Sequence, residues 1–221
     1  MSAQGVASVD DRLRLAELLA SKLCHDLSGP LGTLMGSLEL LTEEPETAEE
    51  ALSLANEVAV TMGKRLRLMR AAWGGAAAPL RVEELRGLAE GLPQAHRISL
   101  QLDRLVPSAR FPSGAARLVL NLLLLAAESL PAGGTIAIAG DPEAQVQVSI
   151  LGLRAAWPSG LATYLVDEER AWAALGGDST TALRVLQAPL TALVARTCGL
   201  RLSMLMARDA EAAPPLVFAP G

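Results

Sequence analysis

Aromatic residues are scarce: Phe, Trp and Tyr together make up 3% of the 221 residues, although 51% of the chain is hydrophobic. A core with few rings must be built from Leu, Ala and Val, which favours well-packed helices, and the chain is long enough to bury one. Cysteine is nearly absent. Cys24 and Cys198 are far apart, which excludes a disulfide framework and a zinc-ligand spacing and fits a reducing cytoplasm. Basic charge is not in excess either. Nineteen Lys and Arg against 24 Asp and Glu leave a net charge of -5, which argues against a nucleic-acid partner. The longest apolar run, Leu118–Ala127, is broken by Asn121 and too short to span a bilayer. The first residues carry no basic stretch followed by an apolar one, so they are not read as a signal peptide. With no internal repeat or low-complexity tract, the expectation is a soluble, cytoplasmic protein of one large or two small domains, with no membrane segment.

What is present is helical periodicity. From about Asp10 to Leu41, Ala16, Leu19, Leu23, Leu27, Leu31, Leu34, Leu38 and Leu41 recur at steps of three or four, which predicts an amphipathic helix with a continuous apolar stripe. Pro45 ends it. Thr47 and Glu50 have capping-box spacing for a second helix, which runs to about Trp73 with Ala51, Ala55, Val58, Met62, Leu66 and Met69 on one face. The short connection predicts an antiparallel hairpin. Two helices cannot enclose a core, so a stripe this long predicts pairing with a second copy into a four-helix bundle. The alternative is that residues 79–221 cover it. Gly74-Gly75-Ala76-Ala77-Ala78-Pro79 reads as a linker, which places a hairpin domain at 1–75 and a second domain at 79–221.

The second domain reads as α/β. A short helix is expected over Arg81–Gly91 and a strand over Arg97–Leu102. Ser113 is expected to cap an apolar helix over Ala115–Leu130. Thr135–Ala139 and Gln145–Leu151 alternate with period two and predict a hairpin around Gly140-Asp141-Pro142. Single helices are expected over Gly160–Ala174 and Thr180–Cys198, with Gly199 closing the latter, then a strand pair at Leu200–Ala207 and Leu216–Ala219. The fold class is therefore α+β: a helical hairpin followed by an α/β sandwich.

One residue stands against the pattern. At about 100° per residue, His25 points roughly 180° away from the apolar stripe, and so into solvent in mid-helix. Ser21, Gly29, Gly32, Gly36 and Glu39 share its face. Each interior glycine costs about 1 kcal/mol relative to alanine, and Pro30 in mid-helix costs about 3 kcal/mol more. Losses gathered in one place mark function, and here they clear a surface that a partner can approach. Asp26 follows His25. A carboxylate can hold one imidazole nitrogen as the proton donor and leave the other as a free lone pair, a nucleophile. Lys22, one turn earlier, and Arg65 and Arg67 on the second helix are candidates for offsetting phosphate charge, or for an ordinary solvated face. His96 has no comparable setting.

Cys24-His25-Asp26-Leu27-Ser28-Gly29-Pro30-Leu31 resembles the phospho-acceptor box of sensor histidine kinases, in which an acid follows the histidine and a proline stands five residues after it. It is closer still to the ChpT-type bacterial histidine phosphotransferases, which also read Cys-His-Asp-Leu before the proline. The resemblance covers essentially the whole chain and implies that the second domain is a degenerate version of the kinases' ATP-binding domain. Asn121 matches the first asparagine of the kinase N-box, but Leu125 stands where the second would be. Ile150-Leu151-Gly152 lacks the adenine-reading aspartate, and no glycine-rich lid follows. Asn121 is thus expected to be structural.

The resemblance implies a histidine phosphotransferase of a two-component phosphorelay. It would shuttle a phosphoryl group between receiver-domain aspartates through His25 without ATP. Asp26 would orient the imidazole; Ser21, Lys22, Gly29, Gly32 and Gly36 would meet the partner. It further implies a homodimer, partners that are response-regulator receivers and the receiver of a hybrid kinase, and no cofactor or metal on this chain, Mg²⁺ coming with the receiver. Gly29 stands where many kinases carry Thr or Asn, which speaks against their usual phosphatase activity. The alternatives are a dimeric adaptor that only binds a receiver and an ATP-dependent kinase.

Overall fold

A computed structural model describes residues 8–43, 45–75, 78–106, 108–207 and 212–221. The chain is a mixed α+β protein with an N-terminal helical hairpin and a sheet domain. The first helix, α1 (Val9–Glu43), runs 35 residues and continues through Pro30. Its ring removes the amide that would bond the Asp26 carbonyl. A 3-10 turn at Pro45–Thr47 leads into α2 (Ala48–Trp73), which packs antiparallel to α1. Thr47 stands at the N-cap but makes no side-chain capping bond; the turn holds it at φ -103° and ψ 5°, away from the extended backbone that an N-cap acceptor prefers. Of the expected linker, Ala76 and Ala77 lie outside the described residues.

The sheet domain opens with β1 (Leu80–Arg81) and α3 (Val82–Ala89), where Glu84 accepts a hydrogen bond from the Arg81 amide. Next come β2 (Ile98–Leu105), β3 (Arg110–Phe111), α4 (Ser113–Glu128), β4 (Gly134–Asp141) and β5 (Gln145–Leu151). The N-cap of α4 is Pro112, not Ser113, which is already in the first turn. Four short helices follow: α5 (Leu161–Val166), α6 (Glu168–Leu175), α7 (Ser179–Val185) and α8 (Gln187–Thr197). The chain closes with β6 (Leu200–Met204) and β7 (Leu216–Pro220). The five-stranded sheet has the order β2-β4-β5-β7-β6, parallel at β2–β4 and antiparallel elsewhere, and β1 pairs with β3 apart from it.

Period-two burial along β4 and β5 turns Ile136, Ile138, Val146, Val148 and Ile150 toward the helices. Gly199, at φ +66°, closes α8 as expected. Each single helix expected over 160–174 and 180–198 is instead two. Asp167 breaks the first and caps α6 by accepting from the Arg170 amide. The second splits at Leu186, and Asp178 caps α7 by accepting from the Thr180 and Thr181 amides. The apolar period runs on across both breaks, so it does not reveal them.

The hairpin and the sheet domain share a core. Leu68 and Ala72 of α2 are fully buried among residues of α4 and the sheet. A second cluster joins Leu18 of α1 to Ala171, Leu175, Ala182, Leu186 and Leu193, so α6 and α7 sit against the N-terminal half of α1. Arg14 fastens this contact, its guanidinium donating to the Gly177 carbonyl at 3.0 Å and to Ser179 Oγ at 3.2 Å. The apolar stripe of α1 is thus only partly covered within one chain. Leu18, off the stripe, and Ser37, at the phase of Leu19, are the buried residues of α1, whereas Leu31 and Leu38 on the stripe remain 46% and 48% exposed. On α2, Leu52 and Leu66 are exposed as well. No described helix is long and apolar enough to cross a membrane.

Candidate functional site

His25 projects from the middle of α1 with 80% of its side chain in solvent. Its Nδ1 lies 3.3 Å from Asp26 Oδ1, so the tautomer that satisfies this acceptor carries its proton on Nδ1 and leaves Nε2 as an open lone pair. Asp26 itself is only 13% exposed. Ser28 Oγ donates to the Cys24 carbonyl at 2.7 Å, turning its hydroxyl back onto the helix and away from the imidazole.

The glycines on this face are not packing devices. A Cβ added at Gly29, Gly32 or Gly36 would meet nothing within 4 Å. Ser21 is exposed too. The face is not open along its whole length, however. Leu18, seven residues before His25 and therefore at nearly the same helical phase, is 1% exposed beneath α6 and α7. The cleared surface begins at Ser21 and runs toward the C-terminal end of α1, with the sheet domain as a wall at its start.

Lys22 is more occupied than the sequence suggests. Its Nζ lies 3.4 Å from Asp26 Oδ1 and 3.5 Å from Glu128 Oε1, at the end of α4. Partial removal from water raises the Glu128 pKa above its ordinary value, and the neighbouring Lys22 charge opposes that rise. Nothing local to Glu128 marks it in the sequence, because its partner is more than a hundred residues away. Arg65 and Arg67 make no hydrogen bond or ion pair with His25 or Asp26 among the described residues. Arg65 is half-buried, and its charge acts on Glu128. Arg67 is exposed and lines a groove with Arg70, Gly74, Leu80 and Leu88.

Asn121 is fully buried and its amide is engaged. Nδ2 donates to the Ala72 carbonyl at 3.0 Å and to the Arg117 carbonyl at 2.9 Å. Oδ1 accepts from Gln187 Nε2 at 3.1 Å, and Gln187 also reaches the Asn121 carbonyl and Thr191 Oγ1. This polar cluster joins α2, α4 and α8. No group of His, Cys, Asp and Glu that could hold a metal occurs among the described residues.

Three findings place the chain among known proteins. Residues 82–210 match the family model of the histidine phosphotransferase C-terminal domain. A protein phosphotransferase ChpT from Brucella abortus (strain 2308) is 33% identical over 128 residues, which is 57% of this chain and 60% of that relative's length. The solved structure of a bacterial phosphotransferase superposes with a TM-score of 0.67 at 22% identity, covering 98% of both chains. That likeness extends the shared fold to the hairpin, which lies outside the family match.

Proposed function

The chain belongs to the histidine phosphotransferase family, and from that premise we propose that it relays a phosphoryl group between receiver-domain aspartates through His25 without using ATP. The observation that carries the reading is the state of His25: an outward imidazole, held at Nδ1 by Asp26, with Nε2 open on a face cleared by three glycines. A phosphorylated receiver docks there, bringing its Mg²⁺. The Nε2 lone pair forms the N–P bond as the aspartyl O–P bond breaks, and the electron pair leaves with the receiver's carboxylate. The imidazole gains positive charge as it does so, and Asp26 lies where that charge develops. Transfer through a loose transition state asks for alignment and charge balance rather than a strong acid or base. A second receiver reverses the step.

The remaining features agree with this reading. The amide of Asn121 is already committed to Ala72, Arg117 and Gln187, which supports relay over ATP-dependent phosphorylation. Leu31 and Leu38, seven residues apart and exposed, and Leu52 and Leu66, fourteen apart on α2, leave an apolar face on each helix. Such faces support a homodimer around a four-helix bundle. Work between receivers of this type belongs in the cytoplasm. Arg65, through Glu128, and Ser21, on the open face, are assigned supporting parts.

The test is to mix the protein with a phosphorylated receiver and follow the label. Wild type accepts it and His25→Ala does not. Label retained on the alanine variant would refute the relay.

A further inference from the structure

We propose that Glu128 is a positioning residue for His25, acting through Lys22 and Asp26, so that the sheet domain sets the state of the phospho-acceptor on the hairpin. The inference rests on the relay reading above and adds a residue that the hairpin alone does not contain.

The geometry is a chain of shared partners. Asp26 Oδ1 has two claimants, His25 Nδ1 at 3.3 Å and Lys22 Nζ at 3.4 Å. Lys22 in turn is divided between Asp26 and Glu128, at nearly equal distances of 3.4 and 3.5 Å. Both exceed the roughly 2.7–2.9 Å of a closed ammonium–carboxylate hydrogen bond. The ammonium is thus suspended between two carboxylates. Glu128 draws it back from Asp26 and leaves Oδ1 able to hold the imidazole N–H. Without the Glu128 charge, Lys22 would close on Asp26, neutralise it and take the oxygen that His25 uses. The imidazole would then lose the contact that fixes its tautomer.

Two further observations favour this role over a merely structural one. Glu128 is the last residue of α4, where the helix dipole disfavours a negative charge. Partial removal from water, with the Asp26 charge nearby, also works against its ionisation and raises its pKa. A carboxylate that neither the helix end nor its burial favours thus stands within reach of Lys22. The side chain remains 33% exposed, so this penalty is modest.

The experiment compares wild type, Glu128→Gln, Lys22→Met and the double variant in transfer from a phosphorylated receiver. ¹⁵N NMR of the His25 ring reports the tautomer of the neutral imidazole. Wild type is expected to hold the proton on Nδ1. E128Q is expected to show a mixture of tautomers and a transfer rate at saturating receiver lower by roughly tenfold, the lower end of the scale for losing an outer partner of a metal-binding imidazole. Its KM stays unchanged, because Glu128 is not asked to touch the receiver. The double variant should be no slower than K22M alone, since the two residues act as one unit. Wild-type rate and tautomer in E128Q would overturn the proposal, as would a loss confined to KM. So would an Nε2–H tautomer in wild type, a measurement that needs no variant to fold. Failure of the relay reading looks different: wild type takes no label, or H25A takes it.

Discussion

On α1 the imidazole of His25 keeps 80% of its surface in solvent, whereas on α4 the amide of Asn121 is fully buried and bonded to α2, α8 and its own helix. The two helices differ in the same way throughout. Twelve of the sixteen residues of α4 are buried, against two of the thirty-five in α1. A polar side chain sealed among leucines must have every group satisfied, and Gln187, itself bonded to Thr191, completes that set for Asn121. A polar side chain left open, with glycines around it, is available to something outside the chain. The residue that resembles a nucleotide ligand has its amide taken up inside the chain, while the residue that resembles a phospho-acceptor stands open to solvent.

Exchanging the losses is the strongest way to break this contrast. His25→Ala removes all label acceptance and leaves the melting temperature within about 2 °C, because an exposed side chain contributes little to packing. Asn121→Ala orphans Gln187 and the Ala72 carbonyl and costs about 2–3 kcal/mol, lowering the melting temperature by about 5–10 °C, while the molecules still folded transfer normally. Thermal melts beside a transfer assay separate the two. An N121A protein with wild-type stability and no transfer would return Asn121 to the chemistry.

The leucines sharpen the same contrast. Leu122 on α4 is 0% exposed, and Leu122→Ala should cost about 2–5 kcal/mol at any protein concentration. Leu31→Glu with Leu38→Glu removes no contact of comparable burial within one chain. Its effect should appear instead in the oligomeric state, as a shift from the proposed dimer to monomer in light scattering. A pair of glutamates that left the dimer intact would mean that the exposed stripe of α1 is not the pairing face.

Glycines make a smaller and more local comparison. Gly32→Ala adds a Cβ to open space on a helix and should stabilise the fold by about 0.5–1 kcal/mol. Gly133→Ala should destabilise it, since φ there is +80° and the new Cβ would lie 2.5 Å from the Arg97 carbonyl oxygen. The gain at Gly32 is expected to come with a higher KM for the receiver. A stabilised variant with unchanged KM would show that the receiver does not approach Gly32 closely.

The contrast between the two helices was partly legible in the sequence. Helical phase alone turned His25 outward, and the apolar density of α4 announced a buried helix. The paired alternation of β4 and β5 and the glycine after α8 were equally local and equally readable. What escaped were contacts between residues far apart in the chain. Leu18 shares the phase of His25, yet α6 and α7 cover it, and nothing near residue 18 encodes that. Lys22 reads as a free cation until Glu128 is brought to it. The break at Asp167 had a signal, because Asp167 precedes two glutamates in the manner of a helix cap. A continuing apolar period masked it.

Two carboxylates at the seam between hairpin and sheet domain give the finest comparison, because their effects on stability run in opposite directions with pH. Hydrogen bonds from Thr181 hold Asp178 below its ordinary value of 3.8. Its contribution is therefore present above that value and lost as pH falls through the lower folded one. Glu128 is raised above its ordinary 4.5 by removal from water, so its charged form burdens the folded state and the burden lifts as pH falls toward 4.5. Wild type should thus exceed Asp178→Asn in melting temperature at neutral pH, with the gap closing below about pH 4. Relative to Glu128→Gln, wild type should instead gain as the solution is acidified from neutral toward 4.5. Both differences are small, since Asp178 is on the surface and Glu128 keeps a third of its side chain in water. Melts of the three proteins from pH 6 down to about 3.5 resolve the signs, which is all the comparison requires. Slopes of the same sign would mean that the environment of Glu128 does not oppose its ionisation.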